Sequence, residues 1–247
     1  MSLRAIPEEV PQARKSPGPG GVAVAIIAAV DREVRPLVRN WPAKIQEHEG
    51  WKFEVFESQN SVVICGGIGA EAARRGTEAV IATYHPEKII SVGFAGALTV
   101  SFKAGDILIA RQVIDVADGN RFETGSGEGS GEGRLVSFSS VADREQKARL
   151  AKAYDAQGVD MEAAAVARCA QIHGVEFLAV KAISDEADAT LPNMSKFIER
   201  AQIRTGRFLM FAVVRPWLWP GLLRLARNSA KASRALCQAL HFYVGKA

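Results

Sequence analysis

A chain of 247 residues with 48% hydrophobic composition is long enough for one α/β domain with a full core and too apolar for a disordered protein. Its net charge of +4 hides an asymmetry: Arg200 to the end holds nine Lys or Arg and no acid, while residues 1–199 hold 22 basic and 27 acidic groups, or −5. That balance argues against a nucleic-acid surface on the main domain, and no stretch reaches the ~18 uninterrupted apolar residues of a membrane span.

Residues 1–20, rich in Pro, Gly and charge and ending SPGPGG, read as a disordered arm ahead of a domain over 21–194 and C-terminal helices over 195–247. The apolar run Val22 to Val30 follows Arg14 and Lys15, as a signal peptide would, but DREV comes at once behind it, and the run has the composition of a first buried strand. Asp31 to Trp41 then forms a turn and helix, which puts Glu33 within a turn of that strand's carboxyl end. Phe53–Phe56 and Val62–Cys65 read as a hairpin. GGIG at 66–69 breaks the strand and opens a helix through Thr83, a weak phosphate-loop signal that tight strand-to-helix packing explains equally well. Lys88–Val92 is a buried strand ending in GFAGA, 93–97, whose small residues let the backbone approach a ligand closely. Gly105–Val116 is another strand, and Ala117–Gly133, with GSGEGSGEG, a flexible loop. Leu135–Phe138 resumes a strand and Ser140–Ala153 a helix. Cys65, Cys169 and Cys237 read as buried thiols of a reducing compartment; four scattered histidines offer no metal cluster, and neither metal nor cofactor is expected.

The richest stretch is Val159 to Asp188, VDMEAAAVARCAQIHGVEFLAVKAISDEAD. A strand end delivers Glu162 to the start of a helix, and the β-branched, apolar run Phe177–Ile183 suits a strand covered on both faces, leaving Ser184 and Asp185 at its carboxyl end. In open α/β sheets that edge is where ligands bind. Capping explains either acid as well, Glu162 at a helix N-terminus and Asp185 at the next turn, and Glu33 could be a solvated helix acid, so the residues alone leave both readings open.

VDMEAAAVA followed by AVKAISDEAD, together with IIAAVDREVRPL, GGIGAEAARRG and IISVGFAGAL, resembles the purine nucleoside phosphorylase and nucleosidase superfamily, closest to its methylthioadenosine/S-adenosylhomocysteine nucleosidase branch. Counting the first two segments as one paired signature, the four motifs cover roughly residues 22–188 in that family's order. The resemblance implies a three-layer phosphorylase-like α/β fold, a central mixed sheet flanked by helices, and cleavage of the N-glycosidic bond of an adenine nucleoside. It implies Asp185, oriented by Ser184, as the acid that protonates the purine and Glu33 as the base that activates water. Glu162 would accept the ribose hydroxyls, Met161 would pack under the sugar, and Phe94, Ala95, Gly96, Val141 and Ala142 would line the base pocket. Two departures stand out. Phosphorylases carry an arginine and a serine that grip phosphate where this chain has Ser91 and Phe94, so water is the expected nucleophile. Val141 replaces an aromatic residue that stacks on the purine in the nucleosidases. Phosphorolysis, or nucleoside binding without turnover, are the alternatives.

In the tail, a helix is expected from Ser195 to about Val214, a break at RPWLWPG, and a last helix from Gly221 to about Tyr243. Arg224, Arg227, Lys231 and Arg234 form a basic stripe, and Leu222, Leu225, Leu236 and Leu240 lie on another face. Either the leucines pack on the domain, or Phe208, Phe211, Trp217 and Trp219 enter a lipid surface while the stripe meets anionic head groups. VGFAGAL, the shortened middle region and a tail with Arg215 and Pro216 are similar to the hopanoid-associated nucleosidase-like phosphorylases, which implies a lipid-linked nucleoside as substrate. The expected setting is a homodimer or larger homo-oligomer in the cytoplasm, with peripheral contact at the inner membrane face as a further expectation.

Overall fold

The computed structural model describes residues 21–125, 131, 133–189, 198–199, 202–203 and 219–245. The arm expected over 1–20 lies outside the described residues. In chain order the elements begin β1 (Val24–Ala28), α1 (Asp31–Val38), β2 (Ala43–His48), β3 (Trp51–Glu57), β4 (Ser61–Cys65), α2 (Ala70–Tyr84), β5 (Lys88–Ala97), β6 (Ile107–Asp115) and β7 (Arg121–Glu123). They continue with β8 (Gly133–Ser137), α3 (Arg144–Tyr154), β9 (Gly158–Asp160), α4 (Ala163–Ile172) and β10 (Glu176–Asp185), and the chain closes with α5 (Trp219–Val244).

The sheet is mixed. β1 pairs in parallel with β4 and β5, and β5 in parallel with β10, while β2, β3 and β4 form an antiparallel meander at one edge. At the other end β10 also pairs with β6, β6 with β8, β8 with β9 and β9 back with β5, so five strands close into a ring. The central strands are apolar on both faces because both are covered, as parallel strands require. Ala25, Ile27, Ile89 and Ala179 pack with Val80 of α2 and Val166 of α4. The alternating residues Ile26, Ile90, Leu178 and Val180 pack with Val34 and Leu37 of α1 and Leu236 and Leu240 of α5. The expected three-layer α/β architecture is therefore present.

Several expected boundaries move. β5 does not stop at Val92 but runs through GFAGA to Ala97, because β9 and β10 both supply partners for that segment. The strand β2, exposed along most of its length, was not anticipated; its residues AKIQEH lack the apolar alternation of a half-buried strand, and it forms by pairing with β3. The loop expected over 117–133 contains β7, which pairs with β6 around the buried Phe122. The helix expected over 195–214 falls mostly outside the described residues. Where it is described, Ile198–Glu199 and Gln202–Ile203 form an antiparallel pair instead, with the β-branched isoleucines opposite each other.

α5 packs on the domain. Ala232, Leu236, Cys237 and Leu240 are buried against α1 and the sheet, while Arg224, Arg227, Lys231 and Arg234 are exposed. Burying Leu236 and Leu240 contributes roughly 1.5–3 kcal/mol each. Phe208, Phe211 and Trp217 lie outside the described residues. Among the described residues no helix is long and apolar enough to cross a membrane.

Candidate active site

The carboxyl ends of β1, β5, β9 and β10 and the starts of α1 and α4 meet at one cavity of about 1010 Å³. Every residue singled out from the sequence lines it: Glu33, Phe94, Ala95, Gly96, Val141, Ala142, Met161, Glu162, Ser184 and Asp185. Local geometry explains the convergence. β10 pairs with β5 with Ile183 opposite Ala95 and Asp185 opposite Gly96, so Ser184 is the extra residue of a bulge. The bulge turns Ser184 and Asp185 to the same cavity, where a regular strand would send them to opposite faces.

Glu33 is not a solvated helix acid: it is 6% exposed. Its Oε2 accepts from the backbone N–H groups of Ala29 (3.1 Å) and Val30 (3.2 Å), and its Oε1 from that of Phe94 (3.3 Å). The carboxylate thus ties the end of β1 to β5. Burial pushes its pKa above the usual carboxylate range, against the opposing pull of the Val30 amide, the Lys181 charge and the other two amides. Gly93 sits against it with φ +136°; a Cβ there would lie 3.2 Å and 3.3 Å from the two Glu33 oxygens.

Glu162 stands at the N-cap position of α4, but its side chain makes no capping bond there. The first N–H groups of that helix are taken by Asp160 Oδ2 (from Ala163, 2.9 Å) and Ser137 Oγ (from Ala164, 2.9 Å). Glu162 Oε1 instead accepts from the Gly69 N–H at 2.8 Å, so GGIG serves to hold this acid at the mouth of α2. Burial, reinforced by the Asp160 charge, pushes Glu162 up to about 7, with Lys181 and the Gly69 amide opposing.

The Asp185 carboxylate is held by two side chains of the site. Its Oδ1 accepts from Ser184 Oγ (2.7 Å), and its Oδ2 is ion-paired with Lys147 of α3. Lys147 is 2% exposed, donates also to the Glu186 carbonyl (2.7 Å), and itself lines the cavity. A second buried pair lies beneath: Lys181 Nζ stands 2.9 Å from Asp160 Oδ2 and donates to Ser91 Oγ (3.0 Å) and the Val92 carbonyl (3.1 Å). Ser91, where a phosphorylase would present arginine, is fully buried and bonded to this lysine.

Lys147, Asp160 and Lys181 escaped the sequence reading. Lys147 and Asp160 carry no visible signal: one looks like a solvated helix residue, the other like the acid of a strand end. Lys181 did carry one, since a charge inside an apolar strand has to find a partner. One part of the cavity's lining was also unforeseen. Leu225, Ala226, Ser229, Ala230 and Ser233 of α5 and Arg32, Arg35 and Pro36 of α1 line the same cavity, so these two helices build part of its wall. Arg234 also lines it. Among the described residues no group of His, Cys, Asp and Glu could hold a metal ion.

The family model of the phosphorylase superfamily matches residues 23–145 and 136–214, so the chain belongs to that superfamily and is an enzyme of it. Among its relatives, a 5′-methylthioadenosine/S-adenosylhomocysteine nucleosidase of Bacillus cytotoxicus is 26% identical over 223 residues, covering 76% of this chain and 96% of the relative. One of an Exiguobacterium species is 27% identical over 225 residues, covering 76% and 95%. In fold, the chain is similar to a Helicobacter pylori 5′-methylthioadenosine/S-adenosylhomocysteine nucleosidase in complex with butyl-thio-DADMe-Immucillin-A, with a TM-score of 0.70 and 20% identity over 92% of this chain and 99% of that one. It is equally similar to the futalosine hydrolase of the same organism, with a TM-score of 0.69 and 20% identity over 92% and 98%.

Proposed function

We propose that this protein hydrolyses the N-glycosidic bond of an adenine nucleoside carrying a bulky apolar 5′ substituent, with a lipid-linked nucleoside of the adenosylhopane kind as the substrate class. The observation that carries the reading is the one cavity in which Glu33, Glu162 and Asp185 converge and whose wall also takes in Pro36 of α1 and Leu225, Ala226 and Ala230 of α5. Its volume lies at the top of the about 300–1,000 Å³ span of small-molecule sites, more room than a base and sugar need. The relatives named as nucleosidases support hydrolysis of such a bond.

In this reading the C1′–N9 bond breaks with its electron pair passing to the purine. Asp185, oriented by Ser184, delivers a proton to N7; Glu33, made more basic by burial, takes a proton from the water that adds to C1′. Glu162 accepts the ribose hydroxyls, Met161 packs under the sugar, and Phe94, Ala95, Gly96, Val141 and Ala142 enclose the base. α5 buries Leu236 and Leu240 but leaves Leu223 and the basic stripe exposed, and peripheral contact with a membrane would use these.

Phosphorolysis of the same bond is the second reading, and the guanidinium groups of Arg32 and Arg234 at the cavity wall favour it, since arginine is the usual partner of phosphate. Adenine release from adenosine, methylthioadenosine and a long-chain 5′-alkyl adenosine, each with and without phosphate, separates the two. Release independent of phosphate and fastest on the alkyl compound is expected; release only with phosphate would replace hydrolysis by phosphorolysis, and equal rates on all three would remove the bulky substituent.

A further inference from the structure

The mechanism above leaves one buried cation of the cavity without a part. Lys147 is the fourth residue of α3, and its place is set by the capping box ahead of it: Asp143 Oδ1 accepts from the Gln146 N–H (2.8 Å) and Gln146 Oε1 from the Asp143 N–H (2.8 Å). From that fixed turn the side chain reaches inward, 2% exposed, to Asp185 Oδ2 and the Glu186 carbonyl. The fit is close on the third side as well. A Cβ at Gly96 would lie 3.0 Å from Lys147 Cε and 3.1 Å from Asp185 Oδ2, so a larger residue in the strand opposite would crowd both members of the pair.

Both members of the pair line the cavity, and Ser184 holds the other carboxylate oxygen. We infer that Lys147 and Asp185 act as one proton donor toward the leaving purine, with Lys147 the positioning residue that fixes Asp185 and holds the proton the pair passes on. This rests on the nucleosidase reading. The pair holds one transferable proton between Nζ and Oδ2; as the C1′–N9 bond breaks, that proton passes to N7, and the purine departs neutral. The pair is left as amine and carboxylate. Water has meanwhile given its hydroxyl to C1′ and its proton to Glu33, and the return of that proton to the pair through solvent restores the starting state. A lysine that served only to neutralise a buried acid would affect every substrate alike, whereas a proton donor matters only when the leaving group needs a proton.

The test compares two leaving groups in the full-length enzyme: adenine, from adenosine or its 5′-alkyl derivative, and 4-nitrophenolate, from a 4-nitrophenyl riboside, which departs without protonation. Lys147→Met is expected to cut adenine release about 10²-fold while nitrophenolate release stays within about threefold, and Lys147→Arg, whose guanidinium keeps the charge but does not give up a proton, to leave adenine release well below the wild type. Because Lys147→Met leaves a lone buried acid, the double variant Lys147→Met with Asp185→Asn is measured beside Asp185→Asn alone. The two should share the same leaving-group selectivity, the lysine adding nothing once the acid is gone. Equal losses on both leaving groups, or a further selective loss of adenine release in the double variant, would overturn the assignment while leaving the nucleosidase reading intact. A wild-type enzyme that cleaves the nitrophenyl riboside but frees no adenine would overturn both.

Discussion

Lys181→Met removes the cation beneath the site, and the structure sets the size of the effect. The lysine is 1% exposed in the middle of β10, 2.9 Å from Asp160, and the charges of Glu162 and Glu33 also bear on it. Burial works against its ammonium, but those three acids outweigh burial and hold its pKa above the ordinary value. Methionine is close in length and leaves little void, so the cost is electrostatic. Breaking a buried pair by deleting one partner costs about 3–5 kcal/mol, a large share of the roughly 5–15 kcal/mol that holds a domain folded. The loss should also depend on pH. Burial already pushes Glu162 up to about 7 and Glu33 above its usual range, and Lys181 opposes both shifts. A carboxyl whose pKa is raised by folding binds more protons folded than unfolded; its contribution is present below the unfolded value and lost as pH rises through the folded one. Without Lys181 both folded values move further up, so the deficit of the variant should be larger at pH 8 than at pH 5. Urea denaturation of wild type and variant at the two pH values measures it. A deficit below about 1 kcal/mol, or one equal at both pH values, would refute the reasoning.

Three further outcomes are expected. Glu33→Gln should lower turnover about 10²-fold with unchanged substrate binding, and the acid limb of the wild-type rate profile, set above the usual carboxylate range by burial of Glu33, should disappear in the variant when rates are followed from pH 4 to 8. Gly93→Ala must take φ +136° and push on the Glu33 oxygens, which should cost about 1–3 kcal/mol in denaturation and lower turnover with it. Ala230→Trp should narrow the cavity where α5 lines it, raising KM for a long-chain 5′-alkyl adenosine by roughly tenfold or more while adenosine itself stays within about twofold in steady-state assays.

The acids of the site were legible because each sits where a strand of strong apolar pattern gives out: Glu33 after β1, Glu162 after β9, Asp185 at the end of β10. Position along the chain could bring them to one sheet edge, but it could not separate a cap from a site acid. That distinction came from Asp160 and Ser137, which occupy the N-terminus of α4 and leave Glu162 to Gly69. The counter-charges were hidden for different reasons. Lys147 comes from a helix whose surface-like sequence KARLAK gives no hint that its lysine points inward. Lys181 stood in plain view within FLAVKAIS, where the surrounding apolar residues drew the reading toward a simple buried strand. The ring of strands depends on β10 pairing with both β5 and β6, a long-range choice that no local pattern records. The packing of α5 on α1 was one of two readings of an amphipathic helix, and only tertiary contact decides between them.

The central claim is that water, not phosphate, attacks the sugar in this cavity. Mass analysis of the sugar product formed from a 5′-alkyl adenosine with phosphate present in excess tests it directly. The account predicts the free 5′-substituted ribose together with adenine; a 5′-substituted ribose 1-phosphate would contradict it.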